Sequence, residues 1–285
     1  MTVQIQSLAS GSNGNAFLMS STEGAVLIDA GISYKSLKNG LESIGNSLAD
    51  LRGIFVTHAH WDHIRGLPVL MKHLNVPIIA AESTLHFLGE NGKVDRAWER
   101  IFDLGQPLIS KTIGELGPFK YTTIRTMHDI DGACSFKIQH VQSGINVSVV
   151  TDTGSLTEFS VGQLAKSDAV LLESNYDRDM LKESTRPQWL KERIRKYHLS
   201  NASTSLILQD LRKSDSKRLK ALFLGHLSGE CNSIDAVTEW VGRWSRFNDP
   251  EWQWFLSPRE SASDLIEINH DSISVKKRIA GEIVW

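Results

Sequence analysis

The chain has 285 residues, is 41% hydrophobic and 22% charged, and carries a net charge of -2, enough to bury an ordinary core within one large domain spanning residues 1–285. No window approaches the roughly 18–20 uncharged apolar residues of a membrane span, and Met1-Thr2-Val3-Gln4-Ile5-Gln6 lacks a basic stretch followed by an apolar run. Two cysteines, Cys134 and Cys231, are too few for a disulfide framework. A cytoplasmic protein with no membrane partner is therefore expected.

In chain order, Val3 to Leu8, Ala16 to Ser20 and Ala25 to Asp29 read as short strands, separated by Gly11-Ser12-Asn13-Gly14-Asn15 and Thr22-Glu23-Gly24. Tyr34 to Ile44 has amphipathic helical spacing and stops near Gly45. Gly53-Ile54-Phe55-Val56-Thr57 is a buried strand that delivers its C-terminal end to a histidine cluster. Beyond it, Leu67, Leu70, Met71 and Leu74 resume helical spacing, so the cluster sits at a strand-to-helix junction. Further strands are predicted at Tyr121 to Thr126, Ser135 to Val141, Asn146 to Thr151, Ala169 to Glu173 and Ala221 to Gly225. Helices are predicted at Leu190 to Tyr197, Ser203 to Leu211 and Ser233 to Trp244. Two sheets face to face with helices outside is the layered solution these elements favour, although periodicity alone admits other α/β arrangements.

His58-Ala59-His60-Trp61-Asp62-His63 places four strong ligands within six residues. Imidazoles with a carboxylate suit zinc, manganese or iron, whereas calcium wants oxygen throughout. The segment resembles the HxHxDH motif of the metallo-β-lactamase fold superfamily, a resemblance that covers most of the chain. It implies an α/β fold, a four-layer αββα sandwich of two mixed sheets flanked by helices. It also implies three later ligands, for which His128, Asp152 and His226 stand at predicted strand ends. Carried over by position, His58, His60 and His128 would hold one divalent ion, Zn2+ or Mn2+, and Asp62, His63 and His226 a second. Asp152 would bridge them, and a shared water would supply hydroxide as nucleophile. His73, His86, His140 and His270 have no such setting and are expected to be structural or exposed.

Four more blocks resemble the YycJ/WalJ-like branch, which is related to tRNase Z and PhnP-like phosphodiesterases. They are Ser7 to Asn15, Leu172-Glu173-Ser174-Asn175-Tyr176-Asp177, His198-Leu199-Ser200 and His226-Leu227-Ser228. The branch implies a nuclease acting on DNA, with 5′-to-3′ exonucleolytic attack among its modes. An alkoxide leaving from phosphorus needs a proton, which His198 could supply if Glu173 orients it; a helix cap at Glu173 and a turn at His198 is the plainer alternative. Tyr197 stands where the branch usually has glycine, a departure that bears on His198 and not on the metal residues. The Gly-Ser loop from Ser10 to Asn15 could hold an anion or be a simple hairpin turn.

Between Arg178 and Lys220 there are twelve Lys/Arg against five Asp/Glu, either solvated helix faces or a positive surface for a nucleic-acid or phosphodiester substrate. Trp61 and Trp189 could stack on bases, although core or rim burial is the commoner use. Trp240, Trp244, Trp252, Trp254 and Trp285 suit either a core or a homodimer interface. The rival functions are an acyl hydrolase acting on a lactone, thioester or β-lactam, an iron-holding redox protein, and a non-catalytic binding module. Redox sites of this fold usually substitute a carboxylate into the first motif, against which His63 argues, and the full ligand set argues against the last.

Overall fold

A computed structural model describes residues 1–92, 105–108, 113–213, 218–248 and 252–277. Its strands form two sheets. The first contains β1 (Val3–Gly11), β2 (Gly14–Ser21), β3 (Gly24–Ile28), β4 (Leu51–Phe55), β5 (Ile78–Ala81) and β6 (Gly105–Leu108), joined beside β1 by β14 (Leu265–Ile268) and β15 (Ile273–Lys276). The second contains β7 (Ile113–Leu116), β8 (Phe119–Arg125), β9 (Cys134–His140), β10 (Asn146–Val150), β11 (Ala169–Glu173), β12 (Ala221–Gly225) and β13 (Gln253–Leu256). Both are mixed: β1, β2 and β3 pair antiparallel, whereas β3–β4–β5 and β10–β11–β12 run parallel.

Alternation along the strands sorts side chains between layers. Phe17, Met19, Val26, Ile28, Phe55, Ala169, Leu171, Ala221 and Phe223 meet between the sheets, and their neighbours Leu18, Leu27, Val170, Leu172, Leu222 and Leu224 face outward. Both faces are apolar because both are covered, which is why these strands read as continuous hydrophobic runs. Phe17 and Phe223 stack edge to face across the inner layer at 5.6 Å.

Helices α1 (Tyr34–Ser43), α2 (Trp61–Ile64), α3 (Leu67–His73) and α4 (Glu82–Gly92) belong to the first sheet; Leu37 and Leu41 of α1, Leu70 and Met71 of α3, and Leu88 of α4 bury against its outer face. On the second sheet lie α5 (Glu158–Leu164), α8 (Asn201–Lys213) and α9 (Ile234–Asn248), with Leu164, Leu208, Leu211 and Val237 buried beneath, whereas α6 (Arg178–Glu183) and α7 (Gln188–Tyr197) bury Leu181 and Ile194 in a separate cluster with Tyr176 and Cys231. The layers are helix, sheet, sheet and helix, as expected. No helix among the described residues is long and apolar enough to cross a membrane.

Several expectations change in detail. The loop after β1 is shorter than Gly11 to Asn15, because Gly11 pairs with Gly14 and leaves a two-residue turn. Four-residue strands at β5, β6, β7, β13, β14 and β15 and the helices α4, α5 and α6 were not legible. Trp61 and Trp189 are 64% and 66% exposed, which rules out core burial for either. Trp252 is buried, Trp254 lies against the core, and the Trp240 indole donates to Asp177 at 3.2 Å, so these three serve intramolecular contacts. Trp285 and the Trp244 side chain lie outside the described residues.

Candidate metal centre

Parallel pairing brings the C-terminal ends of strands from both sheets to one edge. Ile28 registers with Phe55, Val150 with Leu172, and Glu173 with Gly225. The residues that follow these ends are Asp29, the Thr57 to His63 segment, Asp152 and His226, and His128 follows β8. Asp29, Asp152 and His226 adopt φ values of 60°, 55° and 55°, the only non-glycine residues with positive φ among those described. Such conformations cost of order 1–3 kcal/mol each and persist only where surrounding bonds enforce them. Here the Asp29 amide donates to Phe55 O at 2.7 Å and the His226 amide to Ser10 Oγ at 2.8 Å.

The side chains converge in two groups. His60 Nδ1 lies 3.0 Å from His58 Nε2 and 3.1 Å from His128 Nε2. Asp62, His63 and His226 form the second group, with His63 Nε2 3.4 Å and His226 Nε2 3.9 Å from Asp62 Oδ2. Asp152 stands between them, 3.2 Å from His63 Nε2, 3.5 Å from His226 Nε2 and 3.7 Å from His128 Nε2. All seven sequence-predicted ligands are thus brought together.

Donor chemistry fits divalent cations. A carboxylate can only accept, so His63 donates Nδ1–H to Asp29 Oδ2 at 2.7 Å and His226 donates Nδ1–H to Glu173 Oε1 at 2.7 Å. The Thr57 hydroxyl donates to Asp29, leaving its oxygen to accept from His58 Nδ1 at 2.9 Å. Each ring therefore aims Nε2 inward, and that of His226 is buried with no hydrogen-bond partner. Nitrogens held about 2.0–2.1 Å from a tetrahedral ion stand roughly 3.3 Å apart, close to the spacing found around His60. Outer carboxylates that fix ring tautomers are the usual support of such ligands.

Burial holds His58 well below the ordinary histidine range, and it also lowers His60 and His128, so these three present neutral lone pairs. For His63 and His226 burial acts the same way but is outweighed. Asp29, Asp62 and Asp152 raise His63, and Asp152, Asp62 and Glu173 raise His226. Burial disfavours the charged form of Asp62, yet His63 and His226 hold its carboxyl below the usual range.

Glu173, fully buried at the end of β11, carries more than its expected role. Oε1 receives His198 Nδ1 at 2.7 Å as well as His226, and Oε2 accepts from the amides of Thr153 and Leu199 at 3.1 and 3.2 Å. It caps no helix, and the two imidazoles overcome its burial to keep it ionised. Tyr197 closes α7 with its ring edge against His128, and His198 reaches Glu173 regardless of the missing glycine. The other side of the His198 ring lines a cleft of about 270 Å³ together with His60, Asp62, His128, Asp152 and His226.

Arg186 and Arg193 enter this cleft from the basic stretch, paired with Glu230 at 3.1 Å and with Asp129. Arg218 and Lys220 lie instead at the start of β12, near Asp168, so the charge excess is split between the two ends of the sheet, with residues 214–217 outside the described part. Of the remaining histidines, His140 is buried on Ser143 and Glu23, His73 lies against Tyr34, and His86 and His270 are exposed. Burial pushes the Cys134 thiol up to about 12, and Cys231 is buried and unpaired. Asp29 and Asn15 escaped the sequence reading. Asn15 Nδ2 donates to Asp62 Oδ2 at 3.1 Å, and the only signal for Asp29 was a carboxylate directly after a buried apolar strand.

A family model described as the metallo-beta-lactamase superfamily matches residues 9–136. Exodeoxyribonuclease WalJ of Streptococcus pneumoniae is 31% identical over 230 residues, 79% of this chain and 81% of that protein. Exodeoxyribonuclease YycJ of Bacillus anthracis is 29% identical over 235 residues, 81% of this chain and 85% of its own. The structure of unliganded yeast PDE1 superposes with a TM-score of 0.68 at 14% identity, covering 92% of this chain and 99% of that one, which speaks to the fold. Fold, histidine cluster and these relatives agree: the chain belongs to the metallo-β-lactamase superfamily of metal-dependent hydrolases, within which it is similar to the WalJ and YycJ proteins.

Proposed function

We propose that the chain is a dinuclear metal-dependent phosphodiesterase that degrades DNA exonucleolytically, working from the 5′ end. The observation that carries this reading is the 2.7 Å contact between Glu173 and His198 beside the ligand cluster. Acyl transfer through a metal centre has no need of a separate buried carboxylate and histidine, whereas an alkoxide leaving from phosphorus needs a proton donor. The names of the WalJ and YycJ relatives support DNA as the substrate.

His58, His60 and His128 would hold one ion, Asp62, His63 and His226 the other, and Asp152 both. When bound, two ions of Zn2+ or Mn2+ would lower the pKa of water for attack and neutralise charge growing on the phosphate oxygens. His198, oriented by Glu173 through Nδ1, presents Nε2 to the cleft and gives a proton to the leaving oxygen. Arg186 and Arg193 line the same cleft and attract the strand. Trp61, exposed at the rim, offers a face on which a base can stack.

Purified, metal-loaded protein assayed on end-labelled DNA, on RNA and on bis(p-nitrophenyl) phosphate tests the reading. Metal-dependent release of nucleotides from DNA is expected. No turnover on any of the three with both sites filled would defeat it.

A further inference from the structure

The turn between β1 and β2 divides two cavities. Ser12 lines the metal cleft, whereas Asn13 and Gly14 face a second cavity of about 420 Å³ on the other side. Two arginines line that second space, Arg65 from just beyond α2 and Arg259 from the segment after β13, together with Ser33 and Ser36 at the start of α1. Arg65 lies close to the turn at Gly14, and Arg259 lies against Gly11 at the end of β1 and against Gly229. A Cβ at Gly14 would lie 3.2 Å from Arg65 Nη2, and one at Gly229 would lie 1.9 Å from Arg259 Nη1.

Neither guanidinium forms an ion pair among the described residues. Arg65 Nε donates to Gly31 O at 2.6 Å, which leaves both Nη groups without a partner among the described residues. Arg259 makes no hydrogen bond there, and its Nε is buried unpaired. Glu260, the carboxylate lining the cavity, instead accepts from Asn13 Nδ2 at 2.6 Å and pairs with neither arginine. A buried unpaired donor costs about 1–3 kcal/mol, more when charged. Two forked cations beside the positive end of a ten-residue helix suit a ligand with several anionic oxygens.

We propose that Arg65 and Arg259 form a phosphate-binding subsite separate from the metal centre, which grips a phosphate of the substrate strand while a neighbouring diester is cut across the turn. The Gly-Ser loop then works as a partition: its Ser12 side faces the cleft, its Asn13–Gly14 side the anchor. Assigning that phosphate to a nucleic-acid strand rests on the functional reading above, but phosphate binding itself does not.

Inorganic phosphate, titrated calorimetrically into metal-loaded wild type and into the Arg65→Gln/Arg259→Gln double variant, tests the subsite. Wild type should take up one more phosphate per chain than the variant, and equal uptake overturns the proposal. Because Arg259 lies against Gly229, the Arg65→Lys/Arg259→Lys pair serves as a second variant; it should recover part of the difference, and behaviour identical to the glutamine pair counts against the subsite. For a single-stranded DNA oligonucleotide, the slope of log affinity against log salt should be about 0.7–1.4 shallower in the glutamine pair, as one or two phosphate contacts dictate. An unchanged slope overturns the strand assignment. Wild type that takes up the extra phosphate yet cuts no diester upholds the subsite and ends the nuclease reading.

Discussion

The Glu173 carboxylate lies 2.7 Å from His226 Nδ1, through the same oxygen that accepts from His198. One buried group thus orients a ligand-cluster histidine and the histidine of the cleft, and under the proposed function it would couple metal retention to proton transfer. Glu173→Gln should therefore weaken metal affinity about 10–100-fold and also depress turnover once metal is saturating. Competition with a chromophoric chelator measures the first effect; unchanged affinity would remove Glu173 from the support of His226.

His198→Ala separates the two roles. Metal content should stay at the wild-type level while cleavage of DNA falls about 10²–10⁴-fold, the usual contribution of a positioned acid. On bis(p-nitrophenyl) phosphate the loss should be much smaller, since p-nitrophenolate departs without needing a proton. Equal losses on both substrates would show that His198 does something other than protonate the leaving group.

Metal loading should release protons at neutral pH. In the metal-free protein Asp29, Asp62 and Asp152 raise His63, and Asp152, Asp62 and Glu173 raise His226, above the ordinary value of about 6.5. A raised folded-state value means that the stability from these charged pairs is fully present below about pH 6.5 and fades as pH rises through the shifted values. Cations need the same nitrogens unprotonated, so apparent affinity should fall as pH is lowered. Calorimetric titration in buffers of different ionisation enthalpy reports the protons, and identical heats at pH 7 in both buffers would contradict this account.

Gly31→Ala should disturb the second ligand group without replacing any of its side chains. A Cβ there would stand 1.6 Å from the carbonyl oxygen of Asp62, a contact with backbone that no rotamer can relieve. The Asp62–His63 turn must shift, so one of the two metal equivalents is expected to be lost while circular dichroism keeps its native form. Two retained equivalents, counted by elemental analysis, would argue that the turn tolerates the shift.

Local spacing made much of this legible. His58 to His63 are neighbours along the chain, so their convergence needs only a strand ending and a helix beginning, and the Gly53 to Thr57 run announced the strand. His128, Asp152 and His226 were singled out because the family resemblance implies three later ligands in that order, each at a strand end, and parallel pairing brings such ends together. The four-residue strands β5, β6, β7, β13, β14 and β15 escaped because so short a run has too few alternations to stand out.

By itself the sequence determined the strands, the helices and a histidine-rich cluster with metal-ligand spacing, since alternation and local ligand spacing are written along the chain. The layered αββα arrangement and the order of the later ligands came from the family resemblance. Tertiary structure alone decided which groups support that cluster. Asp29 reaches His63 from 34 positions away and Glu173 reaches His226 from 53, distances over which no periodicity operates. Only folding shows that Trp61 and Trp189 stand in solvent and that Arg65 and Arg259, far apart in sequence, share one cavity. The reason is physical: ligand type and spacing are local chemistry, whereas tautomer, charge state and the pairing of cations depend on which neighbours the packed sheets bring within reach.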